Sequence, residues 1–358
     1  MKQRMTPSVA LLLIPAIAGA AGHPSIVDLG PTTVFDVTGY SALNDRGKLV
    51  GYVISANSHS QAAEYSDGEI TEFGTLGGDF SYANGIDNVG RIIGYSYLPG
   101  NVNYHAALFT KHGPKDLGTL GGSNSVAYAL NREGQIAGLS TLVPGDANVH
   151  AAFFSPFHAP IDLGTLGGSK SAALGINNHG IAVGIATVSG DAALHAALFK
   201  QTTSPLDLGT LGGTLSWASA INDHDVVIGY STLANESTSH AALFTPGGSP
   251  IDLGTLGGAA SQAYAINDEG YVVGFADTEA GQSHGALWRS MGGTWRVTDL
   301  NSLVDPNSGW IIDNAYSINN CGLVESVGHR VENVEHTLLL DIGRHPEGPF
   351  ECGRAAKD

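Results

Sequence analysis

The pentapeptide Gly-Thr-Leu-Gly-Gly occurs five times in this chain and sets the length of its structural unit. Its copies begin at Gly74, Gly118, Gly164, Gly209 and Gly254, at intervals of 44 to 46 residues. A fixed period of this size is typical of repeat folds, in which every copy forms one supersecondary unit. The sequence therefore predicts a repeat protein with units of about 45 residues.

Three further elements extend the count of units to seven. An Ile/Leu–Asn/Asp pair recurs at 43–44, 86–87, 130–131, 176–177, 221–222, 266–267 and 318–319. A His-Ala-Ala-Leu-Phe-like segment starts at His105, His150, His195, His240, His284 and His336, with a degenerate first copy at Gln61. An acidic residue followed by Leu or Phe recurs at Asp28, Glu72, Asp116, Asp162, Asp207, Asp252 and Asp299.

Each unit is predicted to contain four short β-strands. In the sixth unit the first three strands are predicted at 263–267, 271–275 and 284–288. The turn between the first two has the form Asn-Asp-x-Gly, whose residues tolerate the left-handed conformation of a tight hairpin. The fourth strand carries Asp-Leu-Gly and is predicted to end at the Gly-Gly pair, where the chain crosses to the next unit.

Four strands in about 45 residues match the blade of a β-propeller. The predicted fold is therefore all-β, a seven-bladed β-propeller of four-stranded blades covering residues 21–342. The last unit has no fourth strand of its own, whereas an isolated strand-like segment at 26–30 precedes the first unit. We expect this N-terminal strand to complete the last blade and close the ring.

The N-terminus has the pattern of a secretory signal peptide. Lys2 and Arg4 precede an apolar stretch at 9–17, and small residues follow at 18–20. This order predicts a signal peptide at 1–20, and its apolar stretch is too short to span a bilayer. A secreted or periplasmic protein without a membrane span is expected, with a polar C-terminal tail at 343–358.

The formal net charge is −17, and it becomes −19 when Lys2 and Arg4 leave with the signal peptide. A surface of this sign repels phosphate backbones, so nucleic acid is not an expected partner. A glycan or a protein is the expected kind of ligand, and the protein is expected to be a monomer.

The combination of Asp-Leu-Gly-Thr-Leu-Gly-Gly, Ala-Ile-Asn-x-x-Gly and His-Ala-x-Leu-Phe resembles the HAF family of extracellular bacterial repeat proteins. The resemblance extends from Val27 to about Leu340, which is nearly the whole of the predicted mature chain. It implies an exported protein but no particular activity, because that family is defined by its repeat. Some proteins of this kind carry a C-terminal sorting segment; the stretch after Leu340 is polar and lacks that pattern, so surface anchoring is not expected.

The features that recur in every unit are interpreted as structural. The repeated His residues are expected to hydrogen-bond within their own unit, to the Asp of Asp-Leu-Gly, rather than to hold a metal ion. The Asn-Asp-x-Gly turns lack the spaced carboxylates of a Ca²⁺ loop, so neither a metal nor another cofactor is expected. Turn-capping roles are expected for Ser81, Ser125, Ser171, Ser216 and Ser261.

Two cysteines lie near the C-terminus, Cys321 and Cys352. In an oxidising compartment they are expected to form a disulfide that fastens the tail to the last unit, in preference to remaining free thiols.

Function is expected where the copies differ. Four aromatic residues break the repeat near the loops that follow the fourth strands, and they are the candidate ligand-binding residues: Phe80, Tyr82, Trp217 and Trp310. Aromatic faces beside Ser, Asn and Asp suit a sugar or a peptide. The alternative is that these rings only pack between neighbouring units.

Three classes of function remain open from the sequence. A non-catalytic binding or interaction module is favoured, since no catalytic group is evident. A carbohydrate-active enzyme would need paired carboxylates near the axis, for which the candidate acids are Asp79, Asp305 and Asp313. A structural cell-surface role is the third class.

Overall fold

A computed structural model describes residues 24–32, 35–37, 42–54, 58–145, 147–332 and 334–342. The predicted signal peptide, the tail at 343–358 and Cys352 lie outside these ranges. The described residues form 28 β-strands and three single-turn 3-10 helices, so the fold is all-β as predicted. None of their helices is long and apolar enough to cross a membrane.

The strands fall into seven groups that follow the sequence repeats, and we number these groups as units 1 to 7. Unit 1 contains β2 (Phe35–Asp36), β3 (Leu49–Ile54), β4 (Ser60–Ser66) and β5 (Glu69–Glu72), and unit 2 contains β6 (Ser81–Ile86), β7 (Ile92–Tyr97), β8 (Tyr104–Phe109) and β9 (Lys115–Asp116). Unit 3 contains β10 (Ser125–Leu130), β11 (Ile136–Thr141), β12 (Val149–Phe154) and β13 (Ile161–Asp162), and unit 4 contains β14 (Gly167–Ile176), β15 (Ala182–Val188), β16 (Leu194–Lys200) and β17 (Thr203–Asp207). Unit 5 contains β18 (Gly212–Ile221), β19 (Val227–Leu233), β20 (Ser239–Phe244) and β21 (Ile251–Asp252), and unit 6 contains β22 (Gly257–Ile266), β23 (Val272–Thr278), β24 (Ser283–Met291) and β25 (Thr294–Asp299). Unit 7 contains β26 (Ile311–Ile318), β27 (Leu323–His329) and β28 (His336–Asp341), together with the N-terminal strand β1 (Ser25–Pro31). The 3-10 helices are Ser189–Asp191, Leu300–Ser302 and Pro306–Ser308.

Units 1, 2, 6 and 7 are separate four-stranded antiparallel sheets, whereas units 3 to 5 form one sheet of twelve strands. Within that sheet the units are joined only by single parallel pairs, Val149 with Lys170 and Leu194 with Leu215. In unit 7 the N-terminal strand β1 pairs antiparallel with β28, from Ser25 opposite Asp341 to Asp28 opposite Leu338. The segment predicted to complete the last unit therefore lies at the edge of its sheet.

The first hairpin turn of each unit has the predicted chemistry. In unit 6 the Gly270 N–H donates to the Asn267 carbonyl at 3.1 Å, and Gly270 has a φ of 77°, which favours glycine. The first three strands of unit 6 are longer than predicted, at 257–266, 272–278 and 283–291, and the Gly-Gly pair does not end the fourth strand. That strand stops earlier, at Asp162 in unit 3, because the aspartate side chain accepts the Gly164 N–H at 2.7 Å and turns the chain. The glycines at 167 and 168 instead open β14.

Small residues allow neighbouring sheets to approach closely. The paired alanines of the third strands are fully buried: Ala62, Ala63, Ala106, Ala107, Ala151, Ala152, Ala196, Ala197, Ala241 and Ala242. The second strand carries a glycine for a related reason, since a Cβ at Gly274 would overlap the backbone carbonyl oxygen of Gln262 on the first strand. The core is thus a set of tightly packed layers between sheets rather than one central mass.

Candidate functional site

Half-buried aromatic rings form one continuous group in units 1 and 2. We call this group the tyrosine cluster, and its members are Tyr52, Phe80, Tyr82, Tyr95, Tyr97 and Tyr104. Two of the four predicted aromatic residues, Phe80 and Tyr82, belong to it. Each of the six residues keeps part of its surface in contact with solvent.

The rings contact one another in sequence across the cluster. Tyr82 stacks on Tyr95 with centroids 4.9 Å apart, and Tyr52 of unit 1 meets Tyr82 edge-on at 5.0 Å. Tyr104 lies 5.5 Å from Tyr95 and 5.3 Å from Tyr97. Phe80 extends the group, 5.6 Å from Tyr97. These separations are those of favourable offset and edge-to-face ring pairs, so the six rings pack into one continuous surface.

Strand register brings these rings together. Tyr82 on β6 pairs with Tyr95 on β7, and Tyr97 pairs with Tyr104 on β8. Tyr95 and Tyr97 are two residues apart on one strand, so their side chains lie on the same face of the sheet. The contact with Tyr52 shows that this face of unit 2 is turned towards unit 1.

Polar side chains border the cluster beside Phe80. The Asp79 carboxylate accepts the Asn101 side-chain amide at 2.5 Å, and the Asn101 side-chain oxygen in turn accepts the Asp79 backbone N–H at 2.8 Å. The His59 ring lies 5.6 Å from the Phe80 ring, and its Nδ1 is 3.9 Å from Asp79. The Asp79 side chain is 48% exposed. Exposed hydrogen-bonding groups therefore lie beside the apolar faces of the rings.

Burial fixes the protonation state of the phenols. It raises the pKa of Tyr52 well above its ordinary value, with a further contribution from the hydrogen bond to Asp36. Burial also raises the pKa of Tyr95 and Tyr97, and the neighbouring tyrosines add to the effect. The phenols of Tyr52, Tyr95 and Tyr97 consequently stay neutral at ordinary pH values and act as hydrogen-bonding groups rather than as bases.

The other two predicted aromatic residues lie elsewhere. Trp217 on β18 stacks on Tyr230 at 5.9 Å, and its indole N–H is buried without a hydrogen-bond partner. Trp310 is only 7% exposed, with the Arg330 guanidinium 4.3 Å from its ring centroid and His336 packed on its edge. Trp310 therefore contributes to the core of unit 7.

The candidate acids are all engaged in local hydrogen bonds. Asp305 accepts the Asn307 backbone N–H at 2.8 Å and caps a 3-10 helix. Asp313 contacts the His329 ring at 2.6 Å. With Asp79 bonded to Asn101, each of the three carboxylates has a positioning role within its own unit.

The repeated His residues make the predicted hydrogen bonds. Through Nδ1 they contact the carboxylate of Asp-Leu-Gly in the pairs His105–Asp116, His150–Asp162, His195–Asp207, His240–Asp252, His284–Asp299 and His336–Asp28. The predicted hydrogen bonds between these His residues and the aspartates are thus confirmed. Among the residues that the structure describes, no group of three or more His, Cys, Asp and Glu side chains is arranged to hold a metal ion.

The repeated serines are structural too, although they act between units rather than as turn caps alone. The Ser216 hydroxyl accepts the Ala196 N–H of unit 4 at 2.8 Å and donates to the Gly209 carbonyl at 2.6 Å. The same pair of bonds recurs at Ser81, Ser125, Ser171 and Ser261. Cys321 is disulfide-bonded, and its predicted partner Cys352 lies outside the described residues.

A cavity of about 190 Å³ lies where the first strands end, and residues of all seven units line it. Its asparagines form what we call the asparagine relay, in which each side-chain amide donates to a backbone carbonyl of the next unit. The donors are Asn44, Asn131, Asn177, Asn222, Asn267 and Asn319, and Asn319 donates back to Asn44. In unit 2, where Asp87 occupies the position, Arg91 donates to the Asn131 carbonyl instead. These side-chain amides thus hold neighbouring units together.

Four members of the tyrosine cluster were not predicted from the sequence: Tyr52, Tyr95, Tyr97 and Tyr104. One signal was present, since a tyrosine follows the second-strand glycine at Tyr52, Tyr95 and Tyr230. Sequence alone does not indicate which of these tyrosines meet one another, because that depends on the register between strands.

Comparison with known proteins gives a partial family match. The family model described as "Protein of unknown function (DUF3466)" matches residues 166–322. None of the curated proteins matches the chain. Among solved structures, the chain is similar to TolB from Acinetobacter baumannii, with 14% identity and a TM-score of 0.43 over 72% of this chain. The match spans 64% of the TolB chain, which is less than two thirds of its length.

Proposed function

We propose that this chain is an exported, seven-bladed β-propeller of four-stranded blades that binds carbohydrate at the tyrosine cluster without catalysing a reaction. The tyrosine cluster is the observation that carries the functional part of the proposal. Its six rings are contiguous and partly exposed.

Three observations support the architecture. Each unit supplies four strands to an antiparallel arrangement, with β1 added to unit 7. The asparagine relay passes from unit to unit and returns from Asn319 to Asn44. Residues at the ends of the first strands of all units line one cavity, as they do around the axis of a propeller. Export is supported by the signal-peptide pattern at 1–20 and by the disulfide-bonded Cys321.

Carbohydrate is favoured because the site combines the two kinds of contact that sugars need. The C–H faces of a pyranose ring pack on aromatic faces, while its hydroxyls require donors and acceptors at the rim. Neutral phenols and the Asp79–Asn101–His59 group supply both. The absence of catalysis is proposed because the candidate acids Asp79, Asp305 and Asp313 are each committed to hydrogen bonds in their own units.

The test uses a variant that replaces four rings of the cluster with residues the fold already accepts. The substitutions are Tyr82→Ala, Tyr95→Ile, Tyr97→Thr and Tyr104→Leu. They copy the equivalent positions of unit 4, namely Ala172, Ile185, Thr187 and Leu194. The fold should tolerate them, because unit 4 forms the same strand pairs with these residues.

Mature protein and variant are compared on a glycan array, and the best glycan is then titrated by calorimetry. We expect the variant to lose at least about tenfold in affinity, which corresponds to about 1.4 kcal/mol. Tyr230→Ile is the matched control, since it makes the Tyr95 change at the equivalent place in unit 5. Binding that survives in the four-residue variant, binding lost in Tyr230→Ile, or binding of peptides but no glycan would each overturn the proposal.

A further inference from the structure

Glu325 on β27 interrupts a position that is aliphatic in every other unit. Its cross-strand neighbours are Ser317 on β26 and Leu339 on β28. The residues with the same pairing in units 1 to 6 are Val50, Ile93, Ala137, Val183, Ile228 and Val273. Unit 7 alone places a carboxyl group there.

This carboxyl group is sealed from water and unsatisfied. Glu325 is 0% exposed, and neither of its carboxyl oxygens has a hydrogen-bond partner. An isolated carboxylate is so costly to bury that such a group normally takes up a proton instead. A buried polar group without a partner in a native fold therefore calls for a role that the rest of the repeat does not need.

The side chain faces the contact between unit 7 and unit 1. Leu339, directly opposite Glu325, packs in one hydrophobic cluster with Phe35 and Val50 of unit 1. On the same face of β28, the Thr337 hydroxyl donates to the Phe35 carbonyl at 3.1 Å and ties the two units together. Glu325 is thus buried where the first and last units meet.

One charged group acts on Glu325 across this contact. It is the Asp36 carboxylate on β2, which accepts the Tyr52 hydroxyl at 2.8 Å. The facing residues of β26 and β28 are Ser317, Thr337 and Leu339, none of which titrates. The charged group that acts on Glu325 is therefore another carboxylate, which disfavours its ionisation.

We propose that Glu325 is a proton-operated lock on the contact between unit 7 and unit 1. Protonated, the side chain is neutral and the contact stays closed; ionised, it places an unpaired negative charge in an apolar layer beside Asp36, and the contact opens. Burial, with a smaller contribution from Asp36, raises the pKa of Glu325 from its ordinary 4.5 to about 8.

The direction of the pH effect follows from this change. Because the pKa of the closed state lies above that of the unfolded or opened state, stability is fully present below pH 4.5 and falls as the pH rises towards 8. Between pH 6 and pH 9 the equilibrium for opening should increase about a hundredfold. The contacts between the other units do not contain the Glu325 carboxyl group, so their opening equilibria should not show this dependence on pH.

Hydrogen exchange of the full mature chain tests the lock, with wild type, Glu325→Gln and Glu325→Val compared at the same pH. For backbone amides of β1, β2 and β28, the ratio of the exchange rate in wild type to that in Glu325→Gln should rise about a hundredfold between pH 6 and pH 9. At pH 6 the two proteins should differ far less, and amides of β18 serve as the internal reference. Glu325→Val installs the residue of units 1, 4 and 6 and should be protected at both pH values, so it decides the question if the Gln variant folds poorly. Equal protection of wild type and the variants at pH 9, or a pH effect of the same size in β18, would overturn the proposal.

Discussion

Ser216→Ala should weaken the contact between units 4 and 5 by removing a bridge that has no substitute. The Ser216 hydroxyl is fully buried, and it joins the Ala196 N–H to the Gly209 carbonyl. Ala196 is also fully buried, so its N–H would be left without a partner, at a cost of about 1–3 kcal/mol. The lost bond to Gly209 adds about 0.5–1 kcal/mol, since that partly exposed carbonyl can turn to water. We expect a total loss of about 2–3 kcal/mol in the free energy of unfolding.

Ser219→Ala on the same strand is the matched control. The Ser219 hydroxyl is buried but has no hydrogen-bond partner, so its removal costs nothing and relieves an unsatisfied group. Urea unfolding followed by tryptophan fluorescence should place the midpoint of Ser216→Ala clearly below wild type and that of Ser219→Ala at or above it. If the two variants shift equally, or if Ser219→Ala is the more damaging, the assignment of the serine bridges is refuted.

Three further predictions rest on single contacts. Gly229→Ala should cost about 3 kcal/mol, because the added Cβ overlaps the Trp217 backbone carbonyl, and should lower the melting temperature by about 4 °C. A melting temperature within about 1 °C of wild type would contradict this. Burial alone would raise the pKa of Asp116, but hydrogen bonds from His105 and a backbone N–H bring it below the ordinary 3.8. The stabilisation from this pair is thus present above pH 4 and lost as the pH falls. In denaturant titrations, Asp116→Asn should therefore have a lower free energy of unfolding than wild type at pH 7. Its free energy of unfolding should also fall less than that of wild type between pH 5 and pH 2. Asn319→Ala should lower the melting temperature, because it removes the hydrogen bond to the Asn44 carbonyl of unit 1 and the side-chain acceptor of the Leu323 N–H in the turn. An unchanged melting temperature would show that the asparagine relay is not needed for stability.

Local chemistry explains what could be predicted from the sequence. The Asn-x-x-Gly turns, such as 267–270, depend on residues within one hairpin, so the repeat alone identifies them. The pairing of His105 with Asp116 was predictable for a similar reason, since both recur in every unit at nearly constant spacing. The place of β1 followed from counting strands, because unit 7 lacked one edge.

The candidate site depends on strand register within unit 2 and on contacts with unit 1, which the repeat does not encode. Tyr52 joins the cluster only because unit 1 packs on the face of unit 2 that carries Tyr82. Trp310 breaks the repeat as plainly as Tyr82 does, yet Arg330 and the core of unit 7 enclose it. A symmetry-breaking aromatic residue is therefore a necessary signal of such a site but not a sufficient one. Strand register and the neighbouring unit decide whether the ring reaches solvent.

The antiparallel pairing of β1 with β28 has a mechanical consequence. Ser25 lies opposite Asp341, so the outer ends of both strands are side by side at the same end of the ladder. A tension applied through these two ends would load the backbone hydrogen bonds one after another, as in opening a zipper, instead of shearing all of them at once. Pulled apart at Ser25 and Asp341, the two strands should therefore separate at a lower force than strands loaded in shear.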